Sequence, residues 1–351
     1  MKAIVVHHPD QFGLEEIPRP EVSPEGLLLR VEACGLCGGD LRTLRSGHPR
    51  VKFPWIIGHE VAGTVAAVGT CYRGPYQAGD RLAVGPLAYH PQDEFCLEGR
   101  HELCADYREI GQHWQGGFAE YLAIPPECLA LGTIQPIPDG MDFALATLSE
   151  PVSSCVHAHE KGATGLGDSV VVIGAGPVGA IHVCLARARG ARQVILVDIA
   201  AARLELCQRF SPDQLVNASK TDPVAEVQRL TRGRGAEVII TANPSPTAQV
   251  QAVEMARKGG RVLLFGGLPK DQCRPGIDMN RVHYQALHLI GTTIFAPWHQ
   301  RIALDLLATG RIPGHQLITD RLPLADFAEG VRRAREGQSL KVVFLGAPAA
   351  T

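Results

Sequence analysis

The apolar residues of this chain follow two rhythms. Up to about residue 150, short β-branched runs broken by Gly and Pro predict strands at Leu27–Ala33, Val61–Val68, Asp80–Val84 and Ala119–Ile124. From about 168 to 290, strand and helix patterns alternate: Val170–Ile173, Val178–Arg189, Val194–Val197, Ala201–Phe210, then Val238–Thr241 and Arg261–Phe265. An all-β module followed by such alternation predicts an α/β protein whose second part is a parallel sheet covered by helices on both faces. Helical patterns return near 299–309 and 325–335, and Lys341–Leu345 reads as a last strand.

Length agrees with two domains, because 351 residues exceed the roughly 250 to 300 at which a single core stops growing. The net charge of −2 comes from interspersed signs and leaves no footprint for nucleic acid or an anionic membrane, so the expected partner is a small-molecule substrate. Met1-Lys2-Ala3-Ile4 enters a strand pattern without a signal peptide, which points to the cytoplasm. The apolar stretch Ser169–Ala188 is interrupted by Gly and Pro and reads as strand, turn and helix, not as a membrane span. Ten cysteines are too sparse for a disulfide scaffold, and Cys71, Cys128, Cys155, Cys184, Cys207 and Cys273, which lack a partner at ligand spacing, are expected to be packing residues.

Gly174-Ala175-Gly176-Pro177-Val178-Gly179 follows a strand and opens a helix, and Asp198 ends the next strand. The first glycine permits a tight turn, the second lets backbone approach a pyrophosphate, and the third lets helix pack on strand. The helix N-terminus offers free N–H groups to the phosphates. Asp198 suits the two adenosine ribose hydroxyls and repels a 2′-phosphate, so the cofactor expected is NAD. Arg203 either stacks on adenine or lies on a solvated face. Gly266-Gly267-Leu268, at the end of a later strand, marks either a nicotinamide contact or an ordinary turn.

Gly35-Leu36-Cys37-Gly38-Gly39-Asp40, Gly58-His59-Glu60 and Ser149-Glu150-Pro151 carry ligand types that zinc accepts, although each fragment alone is weak. Together with the dinucleotide motif they resemble the zinc-containing medium-chain alcohol and polyol dehydrogenases, which include the sorbitol-type and threonine-type enzymes. The resemblance runs over essentially the whole chain. It implies that Cys37 and His59 are zinc ligands, that Glu60 and Glu150 are the carboxylates that ligate zinc or its water, and that Asp40 orients His59. It also implies a GroES-like β-barrel catalytic domain over 1–155, a Rossmann NAD-binding domain over 156–293, a return to the first domain over 294–351, and an active site in the cleft between them. The run Gly116–Tyr121 is a further landmark of that family, read as structural. Zinc would act as a Lewis acid on the substrate hydroxyl, and the nicotinamide would take the hydride.

Two departures from relatives stand out. The frame of a second, structural zinc, C-x2-C-x2-C-x7-C, here reads His90, Asp93, Cys96, Cys104, which leaves a mixed zinc site and a metal-free lobe both open. Relatives also carry a Ser or Thr and often a His as a proton relay, where this chain has Gly39 and Arg42. The proton must then leave through ordered water, a carboxylate such as Glu60, or a second substrate hydroxyl. The function expected is NAD-linked oxidation of a polyol, cyclitol or sugar. A threonine-type amino-alcohol dehydrogenase is the alternative, and a non-catalytic cofactor-binding protein is the reading from another class. Leu287–Ile290, followed by Gly291-Thr292-Thr293-Ile294, would expose a strand edge in a monomer, so a homodimer or homotetramer is expected.

Overall fold

The computed structural model describes residues 1–346. Its contacts divide the described chain into two compact units: Met1–Ser153 joined by Phe295–Gly310 and residues 314–346, and Ser154–Ile294 with Arg311–Pro313.

In the first unit one sheet runs Ile318–Pro323, Lys341–Leu345, Leu27–Gly35, Glu60–Val68, Arg81–Val84, Ile134–Pro136, with Tyr121–Ile124 also pairing the Leu27–Gly35 strand. The central strand Leu27–Gly35 is apolar at nearly every position because both of its flanks are paired and most of its side chains are covered. Phe118, Phe327 and Phe344 meet in the core with ring centroids 4.8 to 5.6 Å apart, edge-on or tilted as aromatic quadrupoles favour. Phe118 lies in the Gly116–Tyr121 run and is fully buried. Gly35 sits opposite both Glu60 and Val343, and a Cβ there would collide with the Glu60 carboxylate. Glycine at 35 therefore leaves the space that the acidic side chain fills.

The second unit is a six-stranded parallel sheet. Taking its strands as first to sixth in the chain, Ser169–Ile173, Gln193–Asp198, Gln214–Asn217, Ala236–Thr241, Ala256–Leu264 and His288–Gly291, the spatial order is 3-2-1-4-5-6. That is the doubly wound Rossmann order, with its switch point between the first and fourth strands. Val170, Val171 and Val172 are all fully buried, as expected of a strand covered on both faces. Helix Pro177–Ala188 follows the first strand after the glycine turn, and a Cβ on Gly179 would collide with the Gly174 carbonyl oxygen.

Two expectations need correction, and one helix carries no prediction from the sequence. Cys71 and Cys273 are exposed, because Cys71 lies in a turn after strand Glu60–Val68 and Cys273 in the loop that follows the 3-10 turn Lys270–Gln272, neither on an apolar face. The predicted helix Ala201–Phe210 is α-helical only over Ala201–Cys207 and tightens to a 3-10 turn over Gln208–Phe210. Ser149–Lys161, noticed only for its acidic dipeptide, opens a 13-residue helix. Among the described residues no helix is long and apolar enough to cross a membrane.

Candidate metal and cofactor sites

The sheet register of the first unit assembles a polar cluster at one strand end. Cys37 is the N-cap of helix Gly38–Ser46, its sulfur accepting from the Gly39 N–H at 3.4 Å. The Asp40 carboxylate reaches back to the Cys37 N–H at 2.9 Å and stands 3.4 Å from His59 Nδ1. One buried carboxylate thus fixes both the helix start and the imidazole. Burial works against a charged His59, but Asp40 and the Cys37 sulfur outweigh it and hold the ring well above its usual value. Burial also pushes the Cys37 thiol up, opposed by His59.

Donor atoms of Cys37, His59 and Glu60 all lie within 4.8 Å of one another. Glu60 is 1% exposed; its Oε2 accepts from the Lys341 ammonium, while its Oε1 is buried without a hydrogen-bond partner. A thiol, an imidazole and a carboxylate oxygen left over in so small a space form a donor set suited to zinc. Lys341 itself is 3% exposed and also donates to the Leu36 carbonyl at 3.0 Å. Burial alone would pull its ammonium down, and Glu60 reverses that and raises it.

Glu150 lies in the first turn of helix Ser149–Lys161 and is partly buried. That helix start is clamped by Gln300, whose Nε2 donates to Ser149 Oγ at 2.7 Å and whose Oε1 accepts from Ser153 Oγ at 3.1 Å. Burial pushes the Glu150 carboxyl up to about 8, with His59 opposing and Glu60 and Glu109 adding to the rise. Glu150 is electrostatically part of the cluster but is not among the three groups within 4.8 Å.

The lobe carrying the second candidate site is different. Donor atoms of Asp93, Cys96 and Cys104 lie within 4.8 Å of one another, but His90 is not among them. Its ring is exposed, with Nδ1 accepting from the Gln92 N–H, and it joins the lobe through its backbone, whose N–H donates to Cys104 Sγ at 3.4 Å and whose carbonyl accepts from the Asp93 N–H at 3.0 Å. Asp93 caps helix Glu94–Leu97, its carboxylate accepting from the N–H groups of Phe95, Cys96 and Ala105 at 2.9, 3.3 and 3.2 Å. Burial and a hydrogen bond with Cys104 push the Cys96 thiol up to about 12. Asp93 is already bonded to three backbone N–H groups and the two thiols to each other, a poorer fit to a metal than the Cys37 cluster.

In the second unit, Gly176 is the N-cap and Pro177 the first residue of helix Pro177–Ala188, so Val178 and Gly179 lie in its first turn, while the Gly174 N–H donates to the Val197 carbonyl at 2.7 Å and ties the glycine turn to the neighbouring strand. Asp198 ends its strand and accepts from Ala175 N–H at 2.7 Å and Ala200 N–H at 2.8 Å, which ties it to that turn. Arg203 is partly exposed on the following helix. A Cβ on Gly266 would collide with the Asn243 backbone, and the Gly266 carbonyl accepts from Gln249 Nε2 at 3.3 Å, so this glycine is a packed turn; Leu268 is partly exposed beyond it.

Sequence reasoning missed Lys341, a single lysine heading an apolar strand, and Glu109, a buried acid in a strand of two residues. For Lys341 the signal is a charge heading a run that is otherwise apolar; Glu109, beside Arg108 in a polar stretch, carries none.

The alcohol dehydrogenase GroES-like domain profile matches residues 23–139, and the zinc-binding dehydrogenase profile matches residues 177–309. The chain belongs to the zinc-type alcohol dehydrogenase family. A Bacillus subtilis sorbitol dehydrogenase is 30% identical to this dehydrogenase over 349 residues, covering 98% of this chain and 96% of the relative. An L-threonine 3-dehydrogenase of Bacillus licheniformis is 33% identical over 358 residues, covering 98% and 99%. A Sinorhizobium meliloti protein described as a zinc-binding dehydrogenase, solved bound to NADP, superposes with a TM-score of 0.88 at 29% identity, covering 98% of each chain. The dehydrogenase therefore has the α/β two-domain fold of its family, and its substrates are small molecules.

Proposed function

We propose that this dehydrogenase uses one zinc and NAD to oxidise a secondary alcohol of a polyol, cyclitol or sugar. The observation that carries the reading is the Cys37, His59 and Glu60 donor set, in which Glu60 keeps one buried oxygen, Oε1, without a hydrogen-bond partner. Zinc bound there supplies a Lewis acid for the substrate hydroxyl. Asp40 occupies His59 Nδ1 and so leaves Nε2 for ligation, the usual outer-shell arrangement for a metal-binding histidine. Lys341 anchors one oxygen of Glu60 and neutralises its charge, leaving the other oxygen for the metal. Glu150 is the second carboxylate, for the metal or its water. The lobe of His90, Asp93, Cys96 and Cys104 closes through its own hydrogen bonds, which favours one zinc per chain over two.

NAD is favoured over NADP because the Asp198 carboxylate lies at the strand end beside the glycine turn, where a ribose diol donates and a 2′-phosphate is repelled. The pyrophosphate is assigned to the N-terminus of helix Pro177–Ala188, and Arg203, Gly266 and Leu268 to the rims of the nucleotide site. Because a similar protein binds NADP, the choice is measured directly: kcat/KM for NAD should exceed that for NADP, Asp198→Ala should narrow the gap, and a wild type that prefers NADP refutes the assignment.

A second reading, a threonine-type amino-alcohol dehydrogenase, draws on the relatives of that name at similar identity. Metal analysis, combined with NADH absorbance on sugar alcohols, cyclitols, aldoses and L-threonine, decides between them. Zinc at one per chain with turnover highest on a polyhydroxylated substrate is expected. Faster turnover of L-threonine would favour the second reading, and active protein without zinc and indifferent to chelators would end the metal assignment.

A further inference from the structure

A fourth carboxylate, after Asp40, Glu60 and Glu150, stands beside the Cys37 cluster with no role assigned to it so far. Glu109 ends the short strand Arg108–Glu109, pairs with Leu87, and is 9% exposed. Ile110 donates to the Pro86 carbonyl at 2.9 Å, and the Gly111 carbonyl accepts from Trp55 Nε1 at 3.1 Å. A Cβ on Gly111 would stand only 3.2 Å from the Gly58 carbonyl oxygen, so Glu109–Gly111 is pressed against the residue that precedes His59. The electrostatics agree with this placement. Burial pushes the Glu109 carboxyl up, with His59 opposing and Asp40 adding to the rise, and Glu109 in turn raises Glu150.

What holds Glu109 is modest. Gln112 Nε2 donates to its Oε2 at 2.8 Å, and among the described residues no basic side chain makes an ion pair with it. Gln112 Oε1 is itself buried without a partner. Two acceptors, a carboxylate with spare lone pairs and an amide oxygen with none of its own used, are therefore side by side and short of donors. Buried acceptors left unsatisfied are costly, and a ligand that brings O–H groups relieves the cost.

We infer that Glu109 and Gln112 hold a non-reacting hydroxyl of the substrate and so select vicinal diols over simple alcohols, an assignment that rests on the polyol reading above. A substrate without the second hydroxyl leaves the pair unpaired, the condition under which a hydrogen-bonding site discriminates most strongly.

The test compares 2,3-butanediol with 2-butanol, which differ by one hydroxyl, in the zinc-loaded wild type, Glu109→Gln and Gln112→Ala. The wild type should prefer the diol. In Glu109→Gln the diol-to-monoalcohol ratio of kcat/KM should fall at least tenfold, mainly through the diol's KM, and the diol's dissociation constant measured by calorimetry should rise in step. Gln112→Ala should shift the ratio in the same direction by less, and it decides the matter alone if Glu109→Gln loses its zinc or its cooperative unfolding. Equal losses on both alcohols, or an unchanged ratio, overturns the assignment. A wild type inert toward the diol and every sugar alcohol overturns the proposed function, and this role with it; a diol-preferring wild type whose variants keep the preference overturns the role of Glu109 alone.

Discussion

Removing the Lys341 ammonium while Glu60 stays in place would strand a carboxylate that is 1% exposed. Breaking one half of a buried pair costs about 3–5 kcal/mol, whereas replacing both halves often costs far less. Lys341→Met should therefore destabilise the metal-free protein by about that amount, and Glu60→Gln with Lys341→Met should recover most of the loss; chemical denaturation giving additive losses would show the two side chains to be energetically independent. Gly39 supports a second prediction. A Cβ there would stand 3.8 Å from Cys37 Sγ and 3.9 Å from His59 Cε1, ordinary contact distances, so Gly39→Ser should fold. It should raise kcat/KM for 2-propanol or 2-butanol more than for the best polyol, which in the wild type should lead by about 10²-fold, the scale of a positioned acid–base group. Equal efficiency of wild type on both substrates would remove the basis for this. At this scale the sequence exposed Cys37, His59 and Glu60, because ligand chemistry shows in short motifs. It hid Lys341, which only the register of three strands brings to Glu60, and it misled on His90, because spacing constrains Cα positions and not the direction of a ring.

Helices Ser149–Lys161 and Pro177–Ala188 meet through two histidines that no motif marks. His159 and His182 are fully buried, their ring centroids lie 5.2 Å apart, and no ring nitrogen of either has a hydrogen-bond partner among the described residues. Burial holds His182 down to about 3, and burial with the charges of His182 and Arg189 holds His159 well below its usual value. Both rings are thus neutral when folded, while the unfolded chain takes up protons below a pKa of about 6.5. A depressed histidine leaves stability intact above that pH and erodes it as pH falls toward the folded value, by about 2 kcal/mol for His182 between pH 7 and pH 5, with His159 acting in the same direction. His182→Leu should accordingly flatten the acid limb of unfolding free energy against pH, and an unchanged slope would show that the pair is not responsible. The strand-helix alternation of this unit was legible because its strands are continuous apolar runs. The 13-residue helix from Ser149 was not, since its first residues are Ser, Glu and Pro and its buried face includes histidines.

On the scale of the whole molecule, the sixth strand of the parallel sheet, His288–Gly291, is bonded on one side only, to Ala256–Leu264. An unpaired edge of that kind is a template for a second copy, so a homodimer or larger even assembly is expected in solution. Light scattering at micromolar concentration checks it, and a monomer there counts against the prediction. The large division into an all-β unit and a parallel-sheet unit could be read from the two apolar rhythms, but the rejoining of the chain from Phe295 onward to the first unit could not, because periodicity carries no information about long-range partners. That rejoining has a consequence for biosynthesis. Glu60 and Lys341 lie 281 residues apart in sequence, and the entire parallel sheet is made between them. Translation proceeds at about 5–20 residues per second, and domains tend to fold as they emerge. Cys37, His59 and Glu60 therefore leave the ribosome many seconds before the lysine that neutralises Glu60, and a nascent chain must carry this carboxylate uncompensated until its final strand has cleared the exit tunnel.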